Sequence, residues 1–192
     1  QITVIPLPIT SVITGPDTVC SGSTGVIYSV TNNAGSVYSW TVVGGAIASG
    51  QGFNQITVNW GAAGAGTVSV TEYNFFGCMG NTSTLNVVIN PSPVAINISG
   101  PDTICEGTFG QYIATPATNG SIYTWVVTGG VPGAQGNDTM DVQWTTPGNQ
   151  TVIVTELNSF GCPGIPDTFN IVVNPMPAPL TLFGPDTVCE FS

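Results

Sequence analysis

The side chains with reactive chemistry in this sequence are Cys20, Cys78, Cys105, Cys162 and Cys189, together with ten carboxylates. There is no His, Lys or Arg beside them. Nucleophilic or general acid–base catalysis needs a positioned base, most often His, so the remaining option is a pair of carboxylates. Glu72 and Glu156 occupy equivalent places in two halves of the chain and do not form a pair in one site. Asp138 and Asp141, with Asn137, are the nearest approach to a cation site. Calcium takes 6–8 oxygen ligands, and the matching stretch of the first half reads Gly52-Phe53-Asn54 with Thr57 instead. A solvated turn is the expectation there. The cysteines have neither His nor a Cys-x-x-Cys partner with which to build a zinc site. We expect no catalytic residue, no metal and no cofactor, and therefore not an enzyme.

The charge balance narrows the partners. Lys+Arg is 0 in 192 residues and the formal net charge is -10, where ordinary usage would give roughly 20 or more basic residues. Without a basic side chain nothing neutralises phosphates and releases their counterions, which excludes nucleic acid. A polybasic contact with anionic lipid is excluded for the same reason. No apolar run approaches the roughly 20 residues of a transmembrane helix, and the chain opens with neither Met nor a basic leader region. Trypsin finds no cleavage site. With no salt bridge available at neutral pH, stability must rest on apolar burial, backbone ladders and crosslinks.

The elements that position these residues are set by an internal repeat. Gly15-Pro16-Asp17-Thr18-Val19-Cys20 returns as Gly100-Pro101-Asp102-Thr103-Ile104-Cys105 and again as Gly184-Pro185-Asp186-Thr187-Val188-Cys189, at spacings of 85 and 84 residues. Tyr38-Ser39-Trp40 returns as Tyr123-Thr124-Trp125, Val58-Asn59-Trp60 as Val142-Gln143-Trp144, Val70-Thr71-Glu72 as Val154-Thr155-Glu156, and Phe76-Gly77-Cys78 as Phe160-Gly161-Cys162. Pro6-Leu7-Pro8 matches Pro91-Ser92-Pro93 and Pro175-Met176-Pro177. The expected division is therefore the last strand of a preceding repeat at 1–8, complete repeats at 9–93 and 94–177, and the start of a following repeat at 178–192.

Each repeat reads as β throughout. Val-, Ile-, Thr- and aromatic-rich segments alternate with Gly/Asn/Ser turns, predicting strands near 25–31, 36–43, 53–60, 66–73 and 83–90. Period-2 alternation puts Tyr38, Trp40 and Val42 on one face, and likewise Ile56, Val58 and Trp60. The second repeat follows with Tyr123, Trp125 and Val127, then Met140, Val142 and Trp144. The four tryptophans are expected in the core, with Phe53, Phe75 and Phe76 exposed. About seven short strands at this spacing suggest a sandwich. The Pro-x-Pro links favour extended, semi-rigid chain between sandwiches.

Each repeat carries two cysteines. Disulfides in an oxidising compartment are expected, paired within repeats as Cys20–Cys78 and Cys105–Cys162, with Cys78–Cys105 as the rival. Cys189 is the first cysteine of a third unit and is unpaired within the window.

Gly-Pro-Asp-Thr-Val-Cys, Tyr-x-Trp, Val-x-Trp and Phe-Gly-Cys together resemble PKD-like repeats of very long surface proteins that gliding bacteria export by type IX secretion. The resemblance covers the whole chain. It implies tandem immunoglobulin-like β-sandwiches with roles in adhesion, gliding and extracellular scaffolding. It departs from standard PKD domains, which carry Trp-x-Phe-Gly-Asp-Gly: Trp40-Thr41-Val42-Val43-Gly44-Gly45 and Trp125-Val126-Val127-Thr128-Gly129-Gly130 keep the glycines and lose the acid. Asp-Thr-aliphatic triplets resemble an O-glycosylation signal of the same bacterial group and nominate Thr18, Thr103, Thr139 and Thr187. A Pro-Asp turn that starts a strand explains the triplet equally well. The expectation is a structural and adhesive segment of an extracellular surface or fibre protein, acting as a stiff, protease-resistant spacer. Its partners would be neighbouring repeats or copies of itself in a linear array. The alternatives are a module that binds surface glycans and a non-catalytic spacer attached to an enzyme.

Overall fold

A computed structural model describes residues 2–181, Phe183 and Glu190; Thr187 and Cys189 lie outside the described residues. The chain is all-β, with no helix among the described residues. The first seven strands are β1 (Thr18–Cys20), β2 (Val26–Ser29), β3 (Val37–Val43), β4 (Gly45–Ser49), β5 (Gln55–Trp60), β6 (Gly64–Tyr73) and β7 (Met79–Asn90). The others are β8 (Asn97–Ser99), β9 (Thr103–Cys105), β10 (Phe109–Thr115), β11 (Ile122–Val127), β12 (Gly130–Pro132), β13 (Thr139–Trp144), β14 (Gly148–Leu157) and β15 (Asp167–Asn174). Four-stranded β1-β7-β6-β3 and three-stranded β2-β5-β4 belong to the first repeat; β12-β13-β10-β8 and β11-β14-β15-β9 belong to the second. These are tandem immunoglobulin-like sandwiches. The five strands expected in the first repeat each overlap an observed one. Two observed strands have no counterpart among those five: β1, which is only three residues long, and β4, whose Gly-Ala-Ile-Ala-Ser sequence lacks the β-branched density that marks its neighbours.

Alternation is realised as the sequence required. Tyr28, Tyr38, Trp40, Ile56, Val58, Trp60, Val68, Val70, Val87 and Ile89 form the first core. Tyr112, Tyr123, Trp125, Met140, Val142, Trp144, Val152, Val154, Ile171 and Val173 form the second. All four tryptophans are buried, whereas Phe53, Phe75 and Phe76 are exposed. The indole N–H groups of Trp40 and Trp125 donate to the carbonyls of Phe53 and Asn137, each at 2.8 Å.

Packing explains the six-residue signature better than chemistry does. A Cβ on Gly15 would lie 2.3 Å from the Tyr28 ring, and one on Gly100 would lie 2.4 Å from the Tyr112 ring. The same tyrosines donate their hydroxyls to the carbonyls of Pro16 (3.0 Å) and Pro101 (3.1 Å). Burial raises the pKa of both hydroxyls. The neighbouring Trp60 and Trp144 indoles offset part of that rise, yet neither indole N–H reaches full hydrogen-bond geometry. The Asp carbonyl then accepts from the last strand, Val88 N to Asp17 O and Val172 N to Asp102 O, each at 2.8 Å. Thr-Val-Cys and Thr-Ile-Cys follow as β1 and β9, which pair parallel with β7 and β15.

The glycine is thus required by the tyrosine ring packed on it. Gly15→Ala and Gly100→Ala are each expected to lose about 1–3 kcal/mol, the usual cost of forcing extra volume into a packed core. Denaturant unfolding of each variant against the parent checks this.

Candidate functional site

The chain divides into two compact units that do not coincide with the sequence repeats. The first comprises 1–95 with 118–122 and 156–165; the second comprises 96–117, 123–155 and 166–192. The first unit therefore contains the Phe160-Gly161-Cys162 turn of the second repeat and the Pro91-Ser92-Pro93 link.

That turn is organised by one asparagine. Asn158 Oδ1 accepts from the backbone N–H of Phe160 (3.0 Å) and Cys162 (2.9 Å), while its Nδ2 donates to the Pro91 carbonyl (2.8 Å). Asn74 does the same in the first repeat, accepting from Phe76 and Cys78 (3.0 Å each) and donating to Pro6 (3.2 Å). Each asparagine shapes its cysteine turn and grips the proline segment that enters its repeat. The far end of the 91–93 link is held as well: Ser92 N donates to Ser21 Oγ (2.9 Å), and Ser92 Oγ donates to the Ser21 carbonyl (2.9 Å).

Cys162 is buried and bonded to Cys20, with a Cα–Cα distance of 5.6 Å and a sequence separation of 142. Cys78 and Cys105 are free. This corrects the within-repeat expectation of Cys20–Cys78 and Cys105–Cys162, and its rival, Cys78–Cys105. The reason is the parallel pairing of β1 with β7. Cys20 registers against Asn90, the last residue of β7, whereas Cys78 immediately precedes Met79, the first. A strand of that length spans roughly 35 Å at about 3.3 Å per residue, far beyond the 4.4–6.8 Å Cα separation that a disulfide tolerates. Cys105 registers against Asn174 at the end of β15, and Cys162 precedes the start of that strand, which spans roughly 25 Å at about 3.3 Å per residue, again too far for a disulfide. The sequence pattern placed the cysteines at strand ends but did not reveal that they are opposite ends of one strand.

Two features escaped the sequence reading. Glu72 and Glu156 are 1% and 0% exposed in a chain without a cationic side chain. Asn33 Nδ2 donates to both oxygens of Glu72 (2.9 and 3.0 Å) and Ser36 Oγ to Oε1 (2.7 Å). Ser121 Oγ serves Glu156 Oε1 (2.6 Å), but Thr118 stands where Asn33 does, and Glu156 Oε2 has no hydrogen-bond partner. A half-open cleft of about 230 Å³ lies beside it, lined in part by Pro91, Pro93, Val94, Glu156 and Phe160. The signal in the sequence was a Glu at the inward-facing period of a strand.

The other nominated residues remain dispersed. Thr18 and Thr103 are exposed at the starts of β1 and β9, and Thr139 is half-buried in β13. Asp141 accepts from Gln111 Nε2 (3.1 Å), and the Asp138 carbonyl accepts from Ala114 N. Among the described residues no three His, Cys, Asp or Glu side chains converge as a metal site. No helix is long and apolar enough to cross a membrane.

Cleavage after Asp and Glu places Cys20 in peptide 18–72, Cys78 in 73–102, Cys105 in 103–106 and Cys162 in 157–167. Non-reducing digestion with an acid-specific protease is expected to yield 18–72 joined to 157–167; a bond from 18–72 to 73–102 would contradict the fold. Thr118→Asn is expected to supply Glu156 with the amide that Glu72 already has and to stabilise by about 1 kcal/mol, read by denaturant unfolding.

The PKD-like domain model matches residues 6–87 and again 91–170. No curated protein matches the chain. Among solved structures, fibronectin(III)-like modules of Clostridium thermocellum CbhA align at 15% identity over 85% of this chain and 94% of that one, with a TM-score of 0.45. The SusE-like surface-located polysaccharide-binding protein BT4661 of Bacteroides thetaiotaomicron aligns at 11% identity, covering 88% of this chain but 34% of that one, with a TM-score of 0.43. The C-terminal 282-residue fragment of intimin, in complex with the intimin-binding domain of its translocated receptor, aligns at 13% identity, covering 86% of this chain and 64% of that one, with a TM-score of 0.45. With the family model matched twice over most of its length, this chain belongs to the PKD-like domain family.

Proposed function

We propose that this chain is a non-catalytic, structural and adhesive segment of an extracellular surface or fibre protein, in which successive repeats form a protease-resistant spacer. The observation that carries this reading is the bond between Cys20 of one repeat and Cys162 of the next. Disulfides persist in oxidising compartments, and a crosslink between consecutive repeats serves mechanical continuity rather than a reaction. Absence of Lys and Arg removes trypsin-type sites from the whole sequence. The Pro-x-Pro links add stiffness through fixed φ. The reading extends to large type IX-secreted gliding adhesins through the residue resemblance, with exposed Thr18 and Thr103 as O-glycan acceptors. Repeat boundaries at 9–93 and 94–177 belong to the same proposal, as do neighbouring repeats or further copies as partners.

A second reading, a module that binds surface glycans, is favoured by the cleft beside Glu156, where an unpartnered carboxylate oxygen and the exposed Phe160 ring lie together.

Limited proteolysis with a chymotrypsin-type enzyme separates the two. For a spacer, reduction of the Cys20–Cys162 bond is expected to speed cleavage on the order of tenfold or more, because the crosslink restrains opening, and glycan arrays should stay blank. Equal cleavage rates with and without reductant, together with glycan binding that Glu156→Gln and Phe160→Ala abolish, would favour the binding module.

A further inference from the structure

The two free thiols, Cys78 and Cys105, each sit in a copy of one half of the Cys20–Cys162 junction. Around Cys78, the N–H of Asn74 donates to the Cys78 carbonyl (3.1 Å) and that of Gly77 to the Asn74 carbonyl (2.8 Å). Around Cys162 the matching bonds are Asn158 to Cys162 (3.0 Å) and Gly161 to Asn158 (2.9 Å). The Pro6–Pro8 segment also follows the course of Pro91–Pro93. Asn74 holds the Pro6 carbonyl as Asn158 holds that of Pro91. A Cβ on Gly80 would meet Pro8, and one on Gly164 would meet Pro93.

Cys105 reproduces the other half. It registers against Asn174 as Cys20 does against Asn90. Glu106 N donates to the Asn174 carbonyl (2.9 Å) as Ser21 N does to that of Asn90 (2.8 Å). The link that leaves the repeat starts along the same course, with Met176 N donating to Glu106 Oε2 (3.3 Å) where Ser92 N donates to Ser21 Oγ. Cys105 is exposed and Cys78 half-buried.

We propose that these thiols are redox-active docking points for further PKD-like repeats. The first cysteine of each repeat bonds to the Phe-Gly-Cys cysteine of the repeat that follows, so a disulfide ladder runs along the array. Cys105 takes the second cysteine of a following repeat, and Cys78 takes the first cysteine of a preceding one. Each rung forms by thiol–disulfide exchange with a low-molecular-weight disulfide such as oxidised glutathione. Two thiols lose two protons and two electrons, one S–S bond forms, and the glutathione disulfide leaves as two thiols. The ladder follows from equivalent geometry at two pairs of cysteines, Cys78 with Cys162 and Cys105 with Cys20, and holds whether the repeats serve as spacer or as receptor.

The test lengthens the full chain by one repeat. A copy of residues 9–93 inserted after Pro177 restores the Pro-x-Pro link and the repeat spacing. Refolding in a glutathione redox buffer, alkylation and acid-specific digestion then give a distinct peptide for the copied Cys78, because residues 73–93 now run into 178–186. The expected result is peptide 103–106 joined to that hybrid peptide, with 18–72 still joined to 157–167. Peptide 103–106 alkylated, or joined to 157–167 or to the original 73–102, would overturn the ladder. So would loss of the 18–72 to 157–167 bond, since that is the junction from which the ladder is extended.

Discussion

The parallel pairing of the short Thr-Val-Cys and Thr-Ile-Cys strands with the last strand of their own repeat governs much of this structure. It fixes the register of Cys20 on Asn90 and of Cys105 on Asn174. It also sets the requirement for Gly15 and Gly100, because the chain reaches that register only by passing beneath a tyrosine ring. The tyrosine hydroxyl and the Asp carbonyl then satisfy polar groups that the crossing would otherwise strand, as buried backbone groups demand. A signature that resembles a modification motif is first of all a device for closing the sandwich.

The absence of positive charge raises a second constraint. Two glutamates face inward, and a buried carboxylate without a cation must be met by hydrogen bonds or exact a large desolvation penalty. In the first repeat an amide and a hydroxyl meet Glu72 fully. In the second, Thr118 replaces the amide and one oxygen of Glu156 is left over, beside a cleft. The two repeats match in most of their structural devices, and this is a place where they differ.

Alternation and turn residues made the strands and cores legible, because period-2 burial is a local property: Trp40, Trp60, Trp125 and Trp144 lie where the pattern put them. The disulfide was not legible, because it depends on which strand the Cys20 segment pairs with and in which direction. No residue type at Thr18–Cys20 distinguishes a parallel partner from an antiparallel one. Glu72 and Glu156 stand at the inward-facing period of their strands, but that they would be buried depends on partners, Asn33, Ser36 and Ser121, more than thirty residues away in sequence. Pairs of that kind are written in the fold rather than in any local window.

Loop entropy does not explain why the crosslink runs between repeats. Closing a loop stabilises roughly in proportion to the logarithm of its length. Extending the loop from the sequence separation of 58 between Cys20 and Cys78 to the 142 of the observed bond therefore adds less than about 1 kcal/mol. Geometry makes the choice: the second cysteine of a repeat is carried to the end of β7 or β15 opposite the first, so only another repeat can supply its partner. The proline link held by Asn158 at one end and Ser21 at the other delivers that partner. What the bond changes is coupling. A within-repeat disulfide restrains one unfolded sandwich, whereas Cys20–Cys162 restrains the chain through both, so neither repeat unfolds into a fully free chain while the bond stands. In a repeat array, whose stability is a sum of unit and neighbour terms, this moves covalent stabilisation from the units to the junctions.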